Sequence, residues 1–450
     1  MKLRLVTLSV VLSGVVSFAP ASFFRQHGHS SHLQASSSDD SDSDSDDMMM
    51  KALKARQSQL TAMQFVKEQK WRNADCASFQ HVSLGDWVRR LDVDWPLVAC
   101  GTSSGDVYVA HLETGEHVAT NALEIPEGVE IDDDEDRSPP QGLETTTRLL
   151  FGPYDGGGTL AIAFSGDLIC VANRQGSVEV WRLDAIKQQL VSQGTMKALN
   201  NVLVTCLQLD QEYLWVGTAD GRLQAYSLDD TLPLPLQVEP ELEWNFPNQS
   251  CVLSLSLSPA INCGIVTTAN GAVELIDLED DSQPMGSFYP PFEKSANVKV
   301  NPHPLSAVIC AHYKSKNDDD DSAESPSYYS IACGGNDGSL WMQPLALTEH
   351  GEVDSDRPFA EPLKRLSPPH MGPVKCLASP LPGLLVSGGL DGSMRIWDVQ
   401  EGASLYQFTG YKVWLGSVWT DGSRLVSDGS DNSVIFHDFD KDYKDTDDKP

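Results

Sequence analysis

The stretch LLVSGGLDGSMRIWD, Leu384 to Asp398, reads as two short β-strands joined by a tight turn. The first run closes on Ser387, Gly388 and Gly389; Asp391-Gly392 makes the turn; Met394 and Ile396 then alternate with polar neighbours up to Trp397-Asp398. A lone hairpin of this size is marginal in water. Its weight comes from repetition, because the pattern recurs seven times along the chain.

Aligned on the turn glycine, Gly105, Gly176, Gly221, Gly271, Gly338, Gly392 and Asn432 form one column, and the shortest interval, 40 residues, is the bare repeat. Two residues later stand Val107, Val178, Leu223, Val273, Leu340, Met394 and Val434; four later stand Val109, Val180, Ala225, Leu275, Met342, Ile396 and Phe436. Apolar residues two apart with a free position between them predict a strand with one buried face. Five later come Ala110, Trp181, Tyr226, Ile276, Gln343, Trp397 and His437, so an aromatic is only partly kept there.

These features give residues 76–439 a resemblance to the WD40-repeat family, in divergent form. Trp397-Asp398 is the one intact Trp-Asp pair, and the Gly-His dipeptide of the family is nowhere intact. The sixth repeat nevertheless matches the family's structural tetrad residue by residue, with His370, Ser387, Asp391 and Trp397. The resemblance implies an all-β fold, a seven-bladed WD40-type β-propeller, ahead of which the sequence itself reads as an N-terminal helix and a disordered presequence. It also implies that the four residues are hydrogen-bonded to one another and hold the turns of their blade, a structural role.

Charge narrows the partner classes. With 64 acidic against 32 basic residues, a net charge of −32, the chain lacks the basic footprint that nucleic acid requires, and it is repelled by anionic membrane surfaces. A basic protein partner fits.

The N-terminus reads as targeting sequence. Lys2 and Arg4 precede an apolar run, Leu5 to Val16, short for a bilayer span, and Val15 and Ser17 suit a cut between Ser17 and Phe18. Residues 1–17 are thus read as a signal peptide and 18–38, which lack acidic residues, as a transit-peptide-like segment beginning Phe-Ala-Pro. Together they resemble the bipartite plastid presequence of algae with secondary red plastids; a plain secretory signal is the alternative. An acidic low-complexity linker, 39–47, follows, with Ser41 and Ser43 each three residues ahead of an aspartate, as acidophilic kinases of the casein-kinase-2 type favour. Residues 48–73 read as one helix, and 440–450 as an acidic tail.

The nine cysteines are odd in number, and eight fall in predicted strands, Cys100 and Cys333 in the column of Ser387. This is core usage, suited to a reducing stroma, rather than a disulfide framework. No cysteine or histidine spacing suits zinc, and neither acidic insertion (122–147 or 314–327) has the alternation of a calcium loop, so no metal or cofactor is expected. No nucleophile elbow, phosphate-binding glycine loop or zinc-protease motif is present. Asp155 with Asp167, or His370 with Asp391, are the carboxylate and histidine pairs open to an acid/base reading.

Cys76 to Leu84 is a strand without a neighbour in sequence, and the last repeat ends one strand short, so the first strand is expected to complete the last blade. The proline-rich pieces 232–240 and 283–291 read as crossings between blades. The expected function is a non-catalytic protein-interaction scaffold in the plastid, with Leu390 and Met371 as apolar partner anchors beside the sixth-blade turns. Two alternatives stand beside it: a ubiquitin-ligase substrate receptor, and a propeller enzyme with a site in the central channel.

Overall fold

A computed structural model describes residues 43–441, apart from 85, 122–157, 175, 200–201, 229–231, 281–282, 294–300, 313–327, 361, 412–414 and 431. The signal-peptide and transit-like segments, much of the acidic linker, both acidic insertions and most of the tail lie outside the described residues. By contact density the chain divides into Met1–Met49 and Met50–Pro450, and the sheets all belong to the second.

Seven four-stranded antiparallel sheets form a seven-bladed β-propeller. Blade 1 comprises Val88–Asp94, Leu97–Thr102, Val107–His111 and His117–Thr120; blade 2 comprises Thr159–Ser165, Leu168–Asn173, Val178–Asp184 and Gln189–Thr195. Blade 3 has Val204–Leu209, Tyr213–Thr218, Arg222–Ser227 and Leu242–Asn245; blade 4 has Val252–Ser258, Cys263–Thr268, Val273–Asp277 and Gly286–Phe288. Blade 5 is Pro304–His312, Tyr328–Gly335, Leu340–Pro344 and Lys364–Leu366; blade 6 is Val374–Ala378, Leu384–Gly389, Met394–Asp398 and Ala403–Phe408. Blade 7 takes Val418–Thr420, Arg424–Ser430 and Ser433–Asp438 from the end of the chain and Ala77–Ser83 from its beginning. The first strands of successive blades pack on one another around the whole ring, which makes them the channel wall.

The apolar core is a set of seams, each shared by two neighbouring blades. Val98 and Leu91 of blade 1 meet Val426 and Phe436 of blade 7, and Cys310 and Leu340 of blade 5 meet Leu385 and Trp397 of blade 6. The inner strands are therefore covered on both faces rather than one: every residue of Leu384–Gly389 and of Met394–Asp398 is buried, whereas the outer Ala403–Phe408 alternates between exposed and half-buried. Two-residue alternation describes only a strand with a solvated face.

Six first strands carry the same irregularity near the channel mouth, one residue bulged out of register at Arg89, Leu160, Thr205, Leu253, Leu305 and Lys375. Opposite it, on the second strand, stands a small residue in most blades: Gly101, Ala172, Gly217, Thr267, Gly334 and Gly388. The reason is close approach of the next blade. A Cβ at Gly217 would lie 2.6 Å from Val252, and one at Gly334 would lie 2.5 Å from Val374.

Ring closure departs from this pattern. Ala77–Ser83 pairs antiparallel with Ser433–Asp438, Phe79 opposite Phe436 and Ala77 opposite Asp438. Asn432 stands where the other blades have the turn glycine, because its side-chain amide donates to the Leu84 carbonyl while its own carbonyl receives the Leu84 N–H at 2.9 Å. At the blade-7 position equivalent to Gly101 stands Asp428, whose carboxylate accepts the N–H groups of Gly416 (2.8 Å) and Ser417 (3.1 Å). Arg90, beside Asp428, donates through Nε to the Leu160 carbonyl of blade 2 at 2.9 Å, so these two side chains stitch blades 7, 1 and 2.

Helix α1, Ser43–Arg72, begins earlier than the 48–73 expected from its apolar content. Its C-terminal end is fastened to the ring: Trp71 is buried, stacks on Phe439 with centroids 3.8 Å apart, and donates Nε1–H to the Gly422 carbonyl at 2.8 Å. Tyr406 donates its hydroxyl to the Trp71 carbonyl at 2.6 Å, and Arg72 pairs with Asp398.

The proline-rich pieces are not crossings. Residues 232–240 connect two strands of blade 3, and 283–291 contain the outer strand Gly286–Phe288 of blade 4. Proline is tolerated beside an outermost strand, where one row of backbone groups faces away from the sheet. Removing residues 77–84 exposes the Ser433–Asp438 edge, and the expected outcome is a lower melting temperature with concentration-dependent association in size-exclusion chromatography. A truncated chain that stays monomeric with its full melting temperature rules out this closure.

Candidate functional site

The turns between second and third strands and the connections between blades lie at one end of the ring; the helix end, fastened at Gly422 and Asp398, lies at the other. In blade 6 the first end is tied together by side chains. His370 sits before the first strand with a fully buried side chain; its Nδ1 lies 3.2 Å from both Asp391 oxygens, and its Nε2 lies 2.7 Å from the Ser387 hydroxyl. Trp397 donates Nε1–H to the same hydroxyl at 2.8 Å.

Elementary donor counting settles the tautomer. The Asp391 carboxylate only accepts, so the His370 proton is on Nδ1; Nε2 then accepts from Ser387, whose oxygen receives Trp397. Burial lowers the His370 pKa against the opposing attraction of Asp391, which keeps the ring neutral at physiological pH. Burial works to raise the Asp391 pKa, but the Met371 N–H, the Ser393 hydroxyl and His370 outweigh it and hold the carboxylate below its ordinary value. A neutral histidine locked between a serine and a carboxylate that is itself bonded to two backbone amides is a brace for turns. All four sequence-derived residues meet in this one network.

Two members of this region were not anticipated. Ser393 donates N–H (3.1 Å) and hydroxyl (2.8 Å) to Asp391, and Arg395 donates through Nη1 to the carbonyls of Pro368 (2.8 Å) and Pro369 (2.9 Å), pinning the inter-blade connection that carries His370. Blade 7 carries a second network. The Ser427 hydroxyl lies 3.4 Å from the Tyr411 hydroxyl, which lies 3.4 Å from His437 Nε2, while His437 Nδ1 lies 2.7 Å from the Ser78 hydroxyl. Ser427 and His437 occupy the columns of Ser387 and Trp397, which was the signal available in sequence. Ser78 comes from the closing strand, so this brace ties the two ends of the chain together.

The platform presents one exposed apolar side chain. Met371 is 90% exposed while its N–H is fixed on Asp391 Oδ2 at 2.9 Å. Leu390 is half-buried rather than exposed, its N–H bonded to the Pro373 carbonyl at 2.8 Å. The segment also bridges two blades, since the His370 N–H donates to the Gly338 carbonyl of blade 5 at 2.9 Å.

The acid/base pairs resolve differently. Asp155 lies outside the described residues; Asp167 is exposed and paired with Arg182 at 2.8 Å. Around the channel, burial raises Asp92 and Asp428 to about 7 and lowers Lys375 to about 7, with Arg90 adding repulsion to the last. Asp92 accepts the N–H of Phe164 in the neighbouring blade at 2.9 Å, and Asp428 accepts the N–H groups of Gly416 and Ser417, which lead into its own blade. Among the described residues no group of three or more His, Cys, Asp or Glu is placed to hold a metal ion. The nine thiols are free; eight are buried and Cys206 half-buried, and burial pushes Cys170, Cys206, Cys251, Cys263 and Cys310 up to about 12. Such thiols pack as small hydrophobes.

No protein-family model matches the chain, and no curated protein matches it either.

One buried histidine yields a pH test. His312 stacks flat on Tyr328 at 4.4 Å, neither ring nitrogen has a hydrogen-bond partner among the described residues, and burial pushes its pKa down to about 4. Its folded pKa lies below the unfolded value of 6.5, so its contribution to stability is present above pH 6.5 and is lost as pH falls towards 4. His312→Phe keeps the stack without the titration, and is expected to narrow the gap between urea midpoints at pH 8 and pH 5. An unchanged gap disproves the assignment.

Proposed function

We propose that the chain is a divergent WD40-repeat protein that works without catalysis, as a protein-interaction scaffold in a plastid. The observation that carries the scaffold reading is the braced turn of blade 6: Met371, almost wholly in solvent, stands on a backbone fixed by Asp391, which is fixed in turn by His370, Ser393 and, through Ser387, Trp397. An apolar side chain carried on a backbone that is already fixed spares the backbone's ordering entropy on binding, which suits an interface anchor. The same His370, Ser387, Asp391 and Trp397 set supports the family assignment. The plastid reading is supported by the Ser17-Phe18 junction with its Phe-Ala-Pro sequence, and by nine free thiols that suit a reducing compartment.

The scaffold reading is tested by affinity purification from isolated plastids with quantitative mass spectrometry. Met371→Asp is expected to reduce recovery of the principal partner at least tenfold with the melting temperature unchanged. Asp391→Ala is expected to reduce recovery and also to lower stability by about 1–3 kcal/mol, because buried donors lose their acceptor. Full recovery with Met371→Asp removes the platform from the interface. The targeting reading is tested with residues 1–40 fused to a fluorescent protein in a diatom-like host: plastid entry is expected for the native segment and its loss for Phe18→Ala. Secretion of the native fusion refutes the plastid.

A further inference from the structure

The helix that leads into the ring has a surface no packing explains. Its last turn is fastened through Trp71 and Arg72, but residues 49–66 are all exposed, and they include Met50, Leu53, Leu60, Met63, Phe65 and Val66, each between 48 and 63% accessible. Helices in proteins draw most of their stability from tertiary packing, so a bare helix rich in Met, Leu and Phe is built to be covered.

Two properties define the cover. The first is charge: residues 50–66 contain Lys51, Lys54 and Arg56 and no acid, in a chain where acids outnumber bases 64 to 32. The cover is therefore acidic, and a second copy of the same basic helix is disfavoured by like charge. The second is distribution. At 100° per residue Leu53, Leu60 and Met63 share one stripe, while Met50, Phe65 and Val66 lie to either flank and on the back. A membrane surface engages one face of a helix and leaves the rest in water, and an anionic membrane also repels the acidic ring. Apolar residues on several sides need a groove that wraps. The pairs Met50 with Met63 and Leu53 with Val66 lie thirteen residues apart in sequence, about 20 Å along the helix and about 140° around it, so a flat surface does not reach both members of a pair.

We propose that Met50–Val66 is a docking segment for an acidic partner protein whose methionine-rich apolar groove closes around the helix, the kind of groove that calcium-loaded EF-hand sensors expose. The site is on the face of the ring opposite Met371, and it stands whether or not the blade-6 platform binds a partner.

Calorimetric titration of the full chain with calcium-loaded calmodulin, as a probe of this groove class, tests the proposal. A one-to-one complex of micromolar affinity or tighter is expected, lost when calcium is chelated. The double variant Leu53→Gln and Met63→Gln keeps helix-forming residues and is expected to weaken binding at least tenfold with helical circular dichroism unchanged. Lys51→Glu with Arg56→Glu is expected to weaken it and flatten its salt dependence, whereas Met371→Asp leaves it unaltered. Absence of a complex overturns the proposal, as does equal binding by the glutamine variant. So does tighter binding to phosphatidylcholine–phosphatidylserine vesicles than to the probe, or a sedimentation-detected dimer that Leu53→Gln abolishes.

Discussion

Antiparallel pairing of Ala77–Ser83 with Ser433–Asp438 turns seven marginal sheets into a ring. Without it blade 7 has an open edge, and blade 1 loses the neighbour whose Val426, Val434 and Phe436 complete its core seam. The contact joins segments about 350 residues apart in sequence, so its loop-closure entropy is the largest in the fold. Several interactions converge on that junction accordingly: Asn432 on Leu84, Ser78 on His437, Trp71 on Phe439 and Asp428 beside Arg90. Where the other blades need only a turn glycine and a small residue, the closing blade places side chains that reach across the seam.

Each blade is stabilised mainly by its neighbours, and this explains how repeats that differ widely in sequence can share one ring. A seam requires apolar residues on both faces of the inner strands and a small residue opposite the bulge, which many residue combinations satisfy. The histidine–serine–tryptophan brace adds rigidity to particular turns instead. It is complete in blade 6, is rebuilt from Tyr411, Ser427 and His437 in blade 7, and Cys333 fills the serine position in blade 5. Rigidity is thus concentrated on neighbouring blades at one end of the ring, the end that displays Met371.

Charge is segregated in the same economical way. The acidic excess is carried largely by surface and by the insertions, while of the buried titratable groups around the channel Arg90 and Asp92 bond backbone groups of the neighbouring blade and Asp428 bonds those of its own. The raised carboxyls of Asp92 and Asp428 measure what their burial costs the charged form, offset by the amides they accept. Against this background the basic, apolar stretch 50–66 is the exception in both charge and exposure.

The seven-blade count, the strands, the missing last strand and the residues of the blade-6 brace were legible in the sequence, because each depends on local spacing: a turn residue, two-residue alternation, a fixed offset to Trp397. Features that depend on what lies across a seam were not. Proline-rich residues 232–240 fall inside a blade because the neighbouring strand order, not composition, decides where a chain crosses. Leu390 is half-buried while Met371 is exposed, a difference of packing between residues that composition treats alike. Arg395 and the Tyr411–Ser427–His437 network bond to groups brought near only by folding. Local spacing determined the repeating unit; burial, hydrogen-bond partners and the seams that close the ring were decided by tertiary structure, since they join residues that no short stretch of chain contains together.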